Sequence, residues 1–246
     1  MRIIFFILIF LFSNFNVLAI GSGNDLPKHN WSFKGLTGTF DKAAVQRGFK
    51  VYREVCSGCH SMSLLYYRDL IDIGFSNEEV KAIAAEYTVI DGPNEEGEMF
   101  ERPARPSDRF VPPFSNKQEA RVSNNGSYPP DLSVITKARK RGPDYIFNLL
   151  LGYTELPVDF KLGEGMYYNK WKEGHQIAMA QPLDEGYVDY DDGTDNTLPQ
   201  LAEDIVTFLT WSAEPELEVR KNIGIKVILF FIIFGLFVYF AKQRLW

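Results

Sequence analysis

Residues 53–62 read Arg-Glu-Val-Cys-Ser-Gly-Cys-His-Ser-Met and hold both cysteines of the 246-residue chain and one of its three histidines. A structural zinc site needs four ligands, usually as two pairs, and no second Cys pair exists. A thioredoxin-like dithiol follows a strand in a βαβ unit, whereas the residues before Cys56 carry a helical pattern. A disulfide across two residues closes a strained ring. What remains is the Cys-x-x-Cys-His pattern of covalent c-type haem attachment. In this chemistry the thiols of Cys56 and Cys59 add to the two haem vinyl groups, and the adjacent imidazole of His60 lies under the iron. With both cysteines committed, the lack of any other suits an oxidising compartment.

Working outward, Ala44, Val45, Gly48, Phe49, Tyr52 and Val55 recur at helical spacing with charges between them, and Thr39 is the expected N-cap. Ser76–Tyr87 reads as a second helix capped by Ser76 or Asn77. Residues 91–131 are proline-rich with little periodicity and read as a long loop region. Asp144–Leu151 is a short helix, residues 152–196 are irregular, and Leu201, Ala202, Ile205, Val206, Leu209 and Trp211 mark an amphipathic helix capped by Thr197. The expected fold is mainly α: a cytochrome c-like helical haem domain with long loop insertions, plus one C-terminal transmembrane helix.

The two ends differ from the middle. Residues 1–19 combine Arg2, an apolar run of about ten residues and a Val17-Leu18-Ala19 close, the pattern of a signal peptide rather than a span. Residues 223–241 are apolar apart from Lys226 and would form a helix ~28 Å long, close to a bilayer core. The expected organisation is therefore a signal peptide (1–19), a periplasmic c-type haem domain (20–219), and an anchor with a short cytoplasmic tail (220–246). That places the chain in a bacterial inner (cell) membrane as a single-pass protein. Residues 20–219 hold all 32 acidic residues and 20 of the 26 basic ones, a formal balance of −12. Such a surface steers basic partners and argues against nucleic acid.

A second axial ligand is needed opposite His60. Met62 lies only two residues from His60 and cannot reach the other face. Met179 is favoured, because its apolar segment and the nearby Pro182 suit a rigid pocket wall; Met166, His175 and His29 stay open on spacing alone. A His/Met pair gives a closed electron-transfer site of high potential, whereas an open position gives ligand chemistry.

Several longer segments resemble the cytochrome c1 family, the haem subunit of the cytochrome bc1 complex: "VYREVCSGCHSM" (51–62), "DGPNEEGEMFERPARPSD" (91–108), "ARVSNNGSYPPDLS" (120–133), "ARKRGPDYIFNLLLGY" (138–153), "GHQIAMAQPL" (174–183) and "DDGTDNTLPQLAEDIVTFLTWSAEPE" (191–216). The resemblance implies that Met179 is the distal ligand, so that His60 and Met179 hold the iron. It implies pocket roles for Asn124, Pro129, Pro130, Ile135 and Tyr145, and a propionate-binding role for Arg139. Where the family commonly shows Asn-Pro-aromatic-aromatic, this chain has Asn169-Lys170-Trp171-Lys172. One haem c, cytochrome b and the Rieske iron–sulfur protein as complex partners, a dimeric complex, and a basic cytochrome c as acceptor are likewise implied. The chain would be an electron-transfer subunit rather than a catalyst by itself. The acidic runs Asp184–Asp195 and Glu95–Glu98 are then candidate docking surfaces. The alternative is another membrane-anchored periplasmic c-type cytochrome that donates electrons to a terminal oxidase or reductase.

Overall fold

Helix α1 (Lys42–Val51) starts two residues later than Thr39 would place it: Asp41 is the N-cap, and its carboxylate accepts from the backbone N–H of Ala43 (3.0 Å) and Ala44. A carboxylate takes these orphan donors with a favourable charge, so Asp41 outcompetes the hydroxyl of Thr39. The structure, a computed structural model, describes residues 26–246, and the expected signal peptide lies outside the described residues. Helix α1 runs without a break into a wider π-helical turn, Tyr52–Cys56, which delivers the Cys-x-x-Cys-His motif.

Helix α2 (Asn77–Ala85) is closed at its start by a reciprocal box in which Ser76 and Glu79 satisfy one another's backbone N–H groups. The proline-rich stretch holds more structure than its composition predicts. Strands β1 (Thr88–Asp91) and β2 (Phe100–Pro103) form an antiparallel hairpin, with Thr88 opposite Pro103 and Asp91 opposite Phe100. Arg102 contacts Asp91 and grips Asp108 through both Nη atoms, at 2.6 and 3.1 Å. A fixed guanidinium fork between two carboxylates holds a hairpin whose exposed strands would not be stable alone. Helix α3 (Lys117–Ser123) follows, capped by Asn116.

Helix α4 (Pro143–Leu151) opens on a proline, and strands β3 (Tyr167–Tyr168) and β4 (Gln176–Ile177) make a second small hairpin. Helix α5 (Leu198–Ala213) is the centre of the domain, with α1 and α4 both packed on it. Its residues Leu201, Ala202, Ile205, Val206, Phe208 and Leu209 are all buried. Thr197 holds the N-cap position, but its side chain makes no capping bond.

The α1–α5 crossing is close because Gly48 lies there. A Cβ at this position would come within 2.0 Å of the Asp204 carbonyl oxygen and 2.7 Å of Phe208 Cβ. Gly48→Ala should therefore force the helices apart and cost roughly 1–3 kcal/mol, read as a lower denaturant midpoint of the purified protein. The same crossing buries Asp204, which is 0% exposed. Arg47 holds it with two bonds, Nε–Oδ2 at 2.9 Å and Nη2–Oδ1 at 3.0 Å. Burial pushes the Asp204 carboxyl up, against the pull of Arg47.

The segment ahead of α1 is latched by Asp144, which is 8% exposed. Its carboxylate accepts from the Trp31 indole at 2.7 Å, the His29 backbone at 3.1 Å and Lys34 Nζ at 2.9 Å. Burial would raise the Asp144 carboxyl, but these donors outweigh it and hold it below its usual value. A lowered carboxyl contributes stability above the unfolded pKa of about 3.9, and that contribution is lost as pH falls through the lower folded value. Acid titration followed by tryptophan fluorescence should therefore release the 29–34 segment below about pH 4. In Asp144→Asn this acid-linked step should vanish.

Helix α6 (Leu217–Leu245) begins three residues beyond α5 and extends 29 residues, long and apolar enough to cross a membrane. Its apolar window is 0% buried. It starts before the expected boundary at 220, and its first turn belongs to the domain. Leu217 is buried, Glu218 accepts from the Phe40 N–H at 2.7 Å, and Lys221 Nζ donates to the carbonyls of Phe33 (2.6 Å) and Gly38 (2.8 Å). The apolar helix is thus clamped to the domain rather than tethered by a linker.

Candidate functional site

The π-turn sets the motif. Ser57 N–H bonds to the Tyr52 carbonyl at 2.8 Å, Cys59 N–H to the Cys56 carbonyl at 3.1 Å and His60 N–H to the same carbonyl at 2.9 Å. Single π-turns recur at functional sites because the wider loop redirects the side chains that follow. Both cysteines are free thiols, Cys56 half-buried and Cys59 exposed. Burial pushes the Cys56 thiol up to about 12.

His60 is oriented by the segment 70 residues away. Its Nδ1 lies 2.8 Å from the Pro130 carbonyl oxygen. A carbonyl can only accept, so Nδ1 carries the proton and Nε2 presents its lone pair. This is the tautomer that a metal-bound imidazole requires, with the second nitrogen fixed by a backbone acceptor. Burial also lowers the His60 pKa and favours the neutral ring. Tyr52 Oη donates to the His60 carbonyl at 3.1 Å.

Around this contact two chain segments are joined by four further bonds, and a fifth closes the 131–133 turn on Asp131. Leu132 N–H donates to the Ser61 carbonyl at 2.8 Å and Leu64 N–H to Ser133 Oγ at 3.1 Å. Asp131 accepts from Ser61 Oγ (2.9 Å), Ser63 N–H (2.8 Å) and Ser133 N–H (2.8 Å). Asp131 was not singled out in the sequence, where it is one acid among 32. Its role depends on a contact between segments that no local pattern encodes.

The other expected site residues fall as follows. Met179 is half-buried, and its carbonyl accepts from Tyr153 Oη at 3.0 Å. Tyr145 lies near both Tyr153 and Arg139; burial raises its phenol and the Arg139 charge acts against that rise. Arg139 is exposed, with Nη1 donating to the Ala138 carbonyl at 3.2 Å, so its charged end is available at the surface of the pocket segment. Ile135 is buried and Pro129 half-buried. Asn124 binds back to its own helix, donating to the Ala120 carbonyl at 2.7 Å. The Asn-Asn-Gly run is explained locally: Asn125 and Gly126 take positive φ of 49° and 83° and close the end of α3.

The other residues left open as iron ligands have these surroundings. Met62 is 0% exposed within the hydrophobic core, while Met99 and Met166 are exposed. His29 stacks against Trp31 and Phe147, each at 4.5 Å, with Nε2 3.4 Å from Glu203. His175 Nδ1 lies 3.0 Å from the Lys170 carbonyl. Of the acidic run, Asp191 and Asp192 pair with Lys50 (2.8 Å) and Arg47 (2.9 Å) on α1, so part of that charge serves to pin the loop to the domain.

Two free thiols beside a half-buried imidazole with a bare Nε2, on a helical domain continued into an exposed apolar helix, fit the attachment of a haem. Residues 31–246 match the Cytochrome C1 family, and the chain belongs to it. The family is the haem subunit of bc1 complexes, and its prosthetic group is covalently attached haem c. Among its relatives, cytochrome c1 of Rhodospirillum rubrum is 40% identical over 94% of this chain and 93% of that protein. The mitochondrial protein named cytochrome c1 1, heme protein, of Arabidopsis thaliana is 50% identical over 83% of this chain and 66% of its own length. The protein named cytochrome b/c1 of Bradyrhizobium diazoefficiens is 46% identical over 91% of this chain. The match spans only 36% of that longer protein.

Proposed function

We propose that the chain carries one haem c, bound by thioethers from Cys56 and Cys59, with the iron held between His60 Nε2 and the Met179 thioether. When bound, the haem supplies a one-electron carrier. The residues of the chain supply its setting. Pro130 fixes the imidazole tautomer and Asp131 holds the segment that carries Pro130; Met179 would supply the second ligand, and Arg139 would offer a permanent charge to a propionate. A neutral thioether and a neutral imidazole favour the reduced state and raise the potential.

In this reading the chain relays electrons from a Rieske iron–sulfur protein to a basic cytochrome c within a dimeric quinol:cytochrome c oxidoreductase that also contains cytochrome b. The haem domain faces the periplasm of a bacterial cell membrane, with α6 as the single span. The balance of −12 over residues 20–219 supports the exit step, because complementary charge speeds small transient encounters. The observation that carries the proposal is the Nδ1–Pro130 bond directly after the Cys-x-x-Cys pair, which leaves Nε2 as a ligand. Detergent purification from the native membrane tests it: a b-type cytochrome and an iron–sulfur subunit should co-purify in fixed ratio. Isolation instead with a terminal oxidase or reductase would overturn it.

A further inference from the structure

The wall that carries Met179 is built from the end of α4. After Leu151 the chain passes so close to Asn169 that only glycine fits: a Cβ on Gly152 would lie 2.6 Å from Asn169 Oδ1 and 2.8 Å from Trp171 Cδ1. Asn169 is 0% exposed and spends its whole amide here, Nδ2 donating to the Leu149 carbonyl (2.8 Å) and Oδ1 accepting from the N–H groups of Trp171 (3.1 Å) and Lys172 (3.2 Å). Its own N–H donates to the His175 carbonyl at 3.0 Å, and Lys170 N–H to the Gly152 carbonyl at 2.8 Å. The β3–β4 pairing continues this order as far as Ile177.

Beyond Ile177 the order depends on one group. Among the described residues, the single hydrogen bond made by the backbone of 178–180 is the one from Tyr153 Oη to the Met179 carbonyl, 3.0 Å long. Tyr153 follows directly on Gly152, so the phenol is aimed by the rigid α4 end. It is half-buried, and because a carbonyl can only accept, the phenol is the donor in this bond. A thioether is a weak, neutral ligand that stays on a metal only if its segment is held for it.

We propose that Tyr153 is a positioning residue for the distal ligand: its hydroxyl, donated to the Met179 carbonyl, holds residues 178–180 so that the thioether stays on the iron. The proposal rests on the reading of Met179 as that ligand, and the experiment separates the two. Three variants of the full chain, Tyr153→Phe, Met179→Ala and a control at the exposed Tyr187, Tyr187→Phe, are purified in the complex. Each is examined for the Met-to-iron charge-transfer absorption, the midpoint potential and the cyanide affinity of the oxidised haem. Tyr153→Phe should bind cyanide roughly three- to tenfold more tightly, the factor expected for one lost hydrogen bond. It should also show a weakened charge-transfer band, while Tyr187→Phe matches the parent. Rescue by 4-aminophenylalanine at 153, which restores a donor, and not by 4-methylphenylalanine, which fills the same space, excludes a packing effect and serves if Tyr153→Phe accumulates poorly. If Met179→Ala loses the band while Tyr153→Phe is indistinguishable from the parent in all three readouts, the positioning role is wrong. If Met179→Ala keeps the band, the ligand assignment itself has failed.

Discussion

Replacing Met179 by alanine is expected to lower the midpoint potential by on the order of 0.1–0.3 V, within the ~0.8 V range over which axial ligands tune haem. As a ligand the thioether would stabilise the reduced state, and alanine would offer the iron nothing in its place. Among the described residues, Met62 is locked in the core and His29 lies between Trp31 and Phe147, so neither is placed to replace it. The oxidised variant should also lose the Met-to-iron charge-transfer absorption and bind cyanide readily. A potentiometric titration that returns the parental value, with the band intact, would remove Met179 from the site.

The second large effect concerns attachment. Cys56→Ser with Cys59→Ser should abolish covalent haem completely, because serine hydroxyls do not add to the vinyl groups. Each single variant should retain one thioether. Haem-dependent peroxidase staining after denaturing electrophoresis reads this directly: parent and single variants stain, the double variant does not. The parental fold around the motif should survive in part, since the π-turn is held by backbone bonds and His60 by Pro130. Staining of the double variant at the parental level would show that the tether lies elsewhere.

What the sequence made legible was local. The helical spacing of apolar positions in α1 and α5, the cap at Ser76 and the apolar run of α6 are all patterns within a few turns of chain, and each became the element expected. The start of α1 at Asp41 rather than Thr39 was a contest between two good caps two residues apart, decided by the charge of the Asp41 carboxylate on the first N–H groups. The hairpin 88–103 escaped notice because its strands are short, largely exposed and held by Arg102 rather than by an apolar face. Asp131 and Tyr153 were invisible for a different reason. Each acts by one or a few hydrogen bonds to residues 68–70 and 26 positions away, and such contacts leave no periodicity. The proposal of Met179 as distal ligand rests on family resemblance, since spacing alone left Met166, His175 and His29 in play.

The most direct test of the central claim is intact-mass spectrometry of the detergent-purified chain, followed by sequencing of its haem peptide. The account predicts one haem per chain, carried on a peptide that contains Cys56, Cys59 and His60 with both cysteines modified. A chain that purifies in its membrane complex with both thiols unmodified would contradict it.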